Sequence, residues 1–363
     1  MPKQIYTIIT GSGSYVPTRL VTNTGFSEST FFESSGVPIN LPNAEIIEKF
    51  KNITGIHERR YVEDNLVCSD IAFMAAEKAI ADARLDKETL DYIIVAHNFG
   101  DVKAGDTHID TVPTIASRVK HKLGIRNPET VAYDLPFGCP GWLQAVIHAN
   151  YFIRSGDVKN ILVIGSETLS RISDPHDRDS MIYSDGAGAV ILTAVESETP
   201  VGLLSHVART DAVDQAYYLK MDKSYKTAEG TNLYLKMNGR KLYEYALKTV
   251  PMAIKAAIDK SGVGIDAIQR VLIHQANEKM DDAIVNRLYE LYGRKERPEF
   301  SMPMIISWLG NNSVATLPIL YDMVIKDQVT NHILNPGDHF VFASVGAGMN
   351  VNAAVYKMPE INS

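Results

Sequence analysis

The sequence predicts an α/β protein built from two related halves, and two observations carry that prediction. Short β-branched and apolar runs bounded by turn residues alternate with longer segments of helical periodicity, as expected when strands and helices interleave along a chain. The chain also repeats itself. At a separation of 177 positions, Lys78, Ala79, Asp82, Ile94 and His97 fall on Lys255, Ala256, Asp259, Val271 and His274. At 172 positions, Phe137-Gly138-Cys139 falls on Leu309-Gly310-Asn311, each followed by helix-forming sequence. Two matches in the same order at nearly the same separation point to an internal duplication. The junction belongs in the polar, turn-rich stretch 196–200, giving an N-terminal half 1–196 and a C-terminal half 197–363. A chain of 363 residues, at roughly 150 residues per domain, is long enough for each half to bury a core. No low-complexity linker separates them, so the halves are expected to pack tightly.

In chain order, strands are expected at 6–10, 92–96, 132–135, 161–164, 189–193, 270–273, 340–343 and 353–356, where the apolar runs are short and β-branched. Helices are expected at 70–83, 114–123, 140–155, 243–260, 279–291 and 313–326. The first has Ile71, Met74, Ala75, Ala79 and Ile80 on one face, the pattern of a helix laid on a sheet. The third opens with Pro140, which a first helical turn tolerates because its missing N–H has no partner there anyway.

Lys and Arg total 36 against 43 Asp and Glu, a net charge of −7, which argues against a basic nucleic-acid-binding surface. The two cysteines, Cys68 and Cys139, are too few for a disulfide framework, so a cytoplasmic setting is expected. The N-terminal segment has no signal-peptide core, and no stretch approaches the ~20 apolar residues that span a bilayer. Membrane insertion is not expected.

Cys139, in YDLPFGCPGW, follows an apolar strand and stands at the mouth of a helix. Unpaired amides and the positive end of the helix there favour a thiolate, lowering its pKa and making it a nucleophile. The local turn alone is equally compatible with an inert, buried thiol. Cys68, in an ordinary segment ahead of a helix, is expected to be inert. His274 ends the strand of RVLIHQAN, where it can hydrogen-bond a carbonyl or exchange a proton, although a lone strand-end histidine is more often structural. Asn311, in LGNNSVA, reads by itself as a capping turn residue. GSGSYVP lacks a GxGxxG or GxxxxGKS pattern and is expected to be a structural turn, and DGAGAV a strand-entry turn.

Taken together, GCPGW, HQAN and GNNS, with DGAGAV and SVGAGM in their expected places, give the whole chain a resemblance to thiolase-fold condensing enzymes, most closely β-ketoacyl-acyl-carrier-protein synthase III. The resemblance implies a thiolase fold of two duplicated α/β halves in a five-layered αβαβα arrangement. It also implies acyl transfer to Cys139, followed by a decarboxylative Claisen condensation with a malonyl- or β-ketoacyl-thioester. His274 and Asn311 match the family's enolate-stabilising pair. Ala347 matches the residue whose backbone amide joins that of Cys139 in an oxyanion hole. Asn277 is implied as substrate-binding, and Val112 as lining the partner subunit's acyl pocket in a homodimer. Thiolases use a second C-terminal cysteine, absent here, and elongation synthases a second histidine where this chain has Asn311. Hydroxymethylglutaryl-CoA synthases add a catalytic glutamate with no secure counterpart in this sequence.

Some positions depart from the family. Members that start from acyl-CoA hold its adenine with a tryptophan and an arginine just before TGI, whereas Lys49 and Ile53 stand there, which argues against CoA binding. The stretch 27–51 is longer than usual, and DVKAGDTHIDTVPT replaces a shorter loop. These departures leave room for a specialised synthase joining two β-ketoacyl chains, of dialkylresorcinol or polyketide type. An acyltransferase to an alcohol or amine, or an inactive scaffold subunit, are further readings. An acyl carrier protein is the expected partner, docking on a basic rim of Arg240, Lys241, Lys279 and Arg287. No cofactor and no metal are expected.

Overall fold

The computed structural model describes residues 3–226 and 230–360. Up to Ser197 the chain forms β1 (Gln4–Tyr15), β2 (Arg19–Thr22), α1 (Asn43–Thr54), β3 (Glu58–Tyr61), α2 (Cys68–Asp82), β4 (Tyr92–His97), α3 (Ile115–Leu123), β5 (Val131–Pro136), α4 (Gly141–Ser155), β6 (Asn160–Thr168) and β7 (Asp185–Ser197). It continues through β8 (Gly202–Thr210), α5 (Ala212–Gln215), β9 (Leu219–Lys223), β10 (Leu233–Met237), α6 (Gly239–Ser261), β11 (Ile268–Ile273), α7 (Glu278–Leu291), α8 (Ile306–Leu309), α9 (Thr316–Ile325), β12 (His339–Gly346) and β13 (Asn350–Lys357).

Two mixed sheets carry the duplication. One has the order β1-β7-β6-β4-β5 and the other, read from the corresponding edge, β8-β13-β12-β11. The pairing senses match strand for strand. β1–β7 and β7–β6 are antiparallel and β6–β4 parallel, as β8–β13 and β13–β12 are antiparallel and β12–β11 parallel.

Alternation along the strands builds the layers. Ile94, Val163, Val190, Phe340, Phe342 and Tyr356 point into a central core filled by α4 and α9. Their neighbours Ile93, Val95, Leu162 and Ile191 point outward onto α2 and α3. Val341, Ala343 and Val355 point outward onto α6 and α7. The result is the five-layered αβαβα arrangement, whose two buried sheets explain why the strands are apolar on both faces.

Two glycine motifs lie in strands, which corrects the turns expected of them. Gly11 and Gly13 of GSGSYVP belong to β1, where a Cβ on Gly13 would meet the Ala75 carbonyl oxygen of α2 at 2.5 Å. Glycine is needed there for close helix–strand approach, not for chain reversal. DGAGAV is likewise the first half of β7. Cys68 opens α2 instead of preceding it, and the helix expected from 313 begins as a 3₁₀ turn before α9. Sequence patterning missed β8, α1 and the β2–β3 and β9–β10 pairs. Among the described residues, no helix is long and apolar enough to cross a membrane.

Candidate active site

Cys139 is delivered by the turn between β5 and α4. Gly138 takes φ +75°, a conformation that favours glycine, and Pro140 precedes the first helical residue. The C-terminal glycine loop lies directly against this turn. A Cβ on Gly346 would sit 2.7 Å from the Cys139 nitrogen, and one on Gly138 would sit 3.0 Å from the Ala347 nitrogen. Asn350 ties the two turns together through Nδ2, donating to the Ala347 carbonyl at 2.8 Å and the Phe137 carbonyl at 3.4 Å. The backbone amides of Cys139 and Ala347 are therefore neighbours.

His274 and Asn311 arrive from the other half of the duplication. His274 follows β11, its backbone N–H donating to the Ala343 carbonyl at 2.8 Å, and its side chain is almost fully buried with Nδ1 unpartnered. Gln275 holds the turn, donating to the Pro303 carbonyl and accepting from the Ile305 N–H. Asn311 follows α8 and accepts the Ser313 N–H on Oδ1 at 2.7 Å. Because a backbone N–H can only donate, that contact fixes the amide. Its Nδ2, which has no partner among the described residues, faces the other way as a donor.

Ser313 joins the trio, and the sequence reading overlooked it although it stands in the GNNS motif. Its Oγ donates to Cys139 Sγ at 3.3 Å, its N–H holds Asn311, and its backbone acts on the His274 ring. It occupies φ +52°, a left-handed conformation uncommon for a non-glycine residue and frequent at functional turns.

Electrostatics correct the expectation of a lowered cysteine pKa. Burial pushes the Cys139 thiol up to about 11, the Ser313 hydroxyl opposing this and the Glu167 carboxylate adding to it. Burial is the largest of these influences and sets the direction of the shift. Burial likewise lowers His274 to about 4, so its imidazole is neutral near pH 7. Cys68 is fully buried, its thiol donating to the Ser166 carbonyl at 3.4 Å, and burial holds its pKa well above the usual range.

The remaining sequence-predicted residues are dispersed. Asn277 caps α7, accepting the Met280 N–H on Oδ1 at 3.0 Å. It also lines a cavity of about 380 Å³ together with Lys49, Ile53, Ile182 and Arg240. The inner wall of that cavity adjoins the trio, because the Ile182 carbonyl accepts the Asn311 N–H at 2.9 Å. Val112 is 85% exposed on the loop between β4 and α3. Lys241 is exposed beside the Tyr218 ring, Arg240 pairs with Glu244 at 3.1 Å, and Arg287 pairs with Glu290 at 2.8 Å. Lys279 is exposed at the start of α7. Among the described residues, no group of three His, Cys, Asp or Glu side chains is placed to hold a metal ion.

Comparison with known proteins gives a consistent family. A family model described as 3-oxoacyl-[acyl-carrier-protein (ACP)] synthase III matches residues 133–212, and that of its C-terminal region matches residues 258–358. A β-ketoacyl-[acyl-carrier-protein] synthase III of Staphylococcus haemolyticus is 32% identical over 351 residues, covering 96% of this chain and 98% of the relative. The solved synthase III of Thermus thermophilus is similar at 29% identity and a TM-score of 0.77, over 96% of this chain and 98% of that one. That of Aquifex aeolicus is similar at 27% identity and a TM-score of 0.77, over 97% and 99% of the two chains.

Proposed function

The chain belongs to the β-ketoacyl-[acyl-carrier-protein] synthase III family and is a thiolase-superfamily condensing enzyme, an acyltransferase; from that premise we propose that Cys139 receives the acyl group and that His274 and Asn311 activate the second substrate. The observation carrying this reading is that Ser313 contacts both Cys139 and Asn311 and its backbone acts on the His274 ring, beside the paired amides of Cys139 and Ala347.

In the first step the Cys139 sulfur bonds to the acyl carbon of a thioester while the bond to the departing sulfur breaks. The thiol proton ends on the leaving thiol. Charge developing on the thioester oxygen falls between the Cys139 and Ala347 amides, where one such donor contributes about 10²–10³ in rate. In the second step a malonyl-type thioester loses carbon dioxide, and the electron pair of the broken carbon–carbon bond becomes an enolate. Its oxygen accepts from Asn311 Nδ2 and from the N–H of the neutral His274 ring. The enolate carbon attacks the acyl group, and the Cys139 thiolate departs. With a β-ketoacyl-thioester in place of the malonyl unit, the proton between the two carbonyls would go to His274.

The halves 1–196 and 197–363 are proposed as the duplicated units of this enzyme. A homodimer is proposed from the exposed Ile109 and Val112, and an acyl carrier protein as the donor's bearer. Lys49 and Ile53 in the cavity wall favour a carrier-bound donor over one recognised through an adenine ring. The test is incubation with carrier-bound acyl and β-ketoacyl donors, read by mass spectrometry of the protein and of the products. Cys139→Ala abolishes acylation and Cys68→Ala leaves it nearly intact. Equal loss in both variants overturns the assignment of a single nucleophile.

A further inference from the structure

Close to Cys139 stands a fully buried carboxylate that the reaction as described does not use. Glu167, next to the end of β6, has no solvent exposure, and its Oε1 has no hydrogen-bond partner. Its Oε2 accepts from the Asn98 backbone N–H at 2.8 Å and from Asn98 Nδ2 at 2.5 Å. The same Nδ2 donates to Ser313 Oγ at 3.0 Å, and Ser313 Oγ donates to Cys139 Sγ at 3.3 Å.

Donor and acceptor rules give this chain a direction. An ionised carboxylate only accepts, so Asn98 must present its NH₂ group, one hydrogen to Glu167 and the other to Ser313. Ser313 Oγ then accepts from Asn98, and its single proton is left for the sulfur. Flipping the Asn98 amide would set its oxygen against the carboxylate and draw the Ser313 proton away from Cys139.

We propose that Glu167 is a positioning residue for Cys139, acting through Asn98 and Ser313 to aim the Ser313 hydroxyl proton at the reactive sulfur. The proposal rests on the assignment of Cys139 as nucleophile. It also gives a buried charge a reason to be there, since the carboxylate otherwise only opposes thiolate formation. Around it stand His97 on β4, whose Nε2 is 3.0 Å from Asp134, Cys68 on α2, and Cys139 itself. Burial raises the Glu167 carboxyl to about 7, so it is ionised at pH 8.5.

The experiment is alkylation of Cys139 by iodoacetamide at pH 8.5, followed on the Cys139 peptide by mass spectrometry, in the four proteins of the cycle Glu167→Gln and Ser313→Ala. Ser313→Ala removes the donor to the thiolate and slows alkylation about tenfold, one pKa unit's worth. In that background Glu167→Gln removes only a nearby negative charge, so alkylation accelerates. With Ser313 present, the same change also frees the Asn98 amide to flip, so the acceleration is smaller by about threefold or is reversed. That coupling is the signature of positioning. Glu167→Gln acting by the same factor in both backgrounds overturns the proposal, as does an unchanged rate in Ser313→Ala. Thermal melts of all four proteins accompany the rates, and a merely structural loss would lower Tm without producing the coupling. Alkylation is read independently of acyl transfer. A wrong nucleophile assignment would therefore appear as acylation away from Cys139, with the alkylation cycle still decisive for Glu167.

Discussion

His274 works in the state that its surroundings impose. Buried almost completely, its imidazole is lowered to about 4 and stays neutral until the pH falls through that value. No activity loss from its protonation is expected down to about pH 5. A neutral ring beside the Asn311 amide is suited to an enolate oxygen and matters little for taking an acyl group. His274→Ala and Asn311→Ala are therefore expected to be acylated on Cys139 yet to condense at least about 10²-fold more slowly, the scale of a lost positioned donor. Single-turnover acylation followed separately from product formation checks this. Condensation at the wild-type rate in both variants would remove the enolate role. The identity of these residues was legible in the short motifs, whereas the state of the thiol was not. Reading the GCPGW turn alone counts the helix terminus and omits the dehydration supplied by segments far along the chain, which sets the sign.

At the scale of elements, the approach of the β12 terminus to the start of α4 brings the two amides together. Gly346 permits it, because a Cβ there would lie 2.7 Å from the Cys139 nitrogen and 2.8 Å from the Cys139 Cβ and Pro140 Cδ. Backbone and ring atoms cannot swing aside, so Gly346→Ala has to push the two turns apart. Acylation is expected to fall at least about tenfold, within the range for a displaced oxyanion donor. The stability cost is about 1–3 kcal/mol, the usual penalty for overpacking. Acyl-enzyme mass spectrometry and a thermal melt measure the two effects, and acylation at the wild-type rate would show that the close approach is dispensable. Strand and helix periodicity located most of the large elements. It missed β8 and α1, and it assigned GSGSYVP and DGAGAV to turns because glycine in a strand and glycine in a turn look alike until the packed neighbour is known. For Gly13 that neighbour is the backbone of α2.

Across the whole molecule, the two matched sheets carry Cys139 on one and His274 on the other, each on a turn leaving a strand. If a carrier protein delivers the acyl group to this face, an acidic carrier must overcome the chain's net charge of −7 by meeting a local basic patch. Combined Lys279→Glu and Arg287→Glu reversal is expected to reduce turnover with carrier-bound donors about tenfold, and added salt to mimic it. Turnover of a small thioester analogue should survive, because it needs no docking; equal damage to both substrates would exclude the patch. The sequence by itself determined the α/β alternation, the duplication and the strand–turn–helix mouths holding Cys139 and His274, because these follow from side-chain period and turn chemistry over a few residues. Only the tertiary structure decided that Ser313 joins the trio, that the thiol is dehydrated and that Glu167 stands behind it. Those facts depend on partners as far apart as Asn98 and Ser313, 215 positions along the chain, and on burial, which is set by every element packed around a group and not by the segment that carries it.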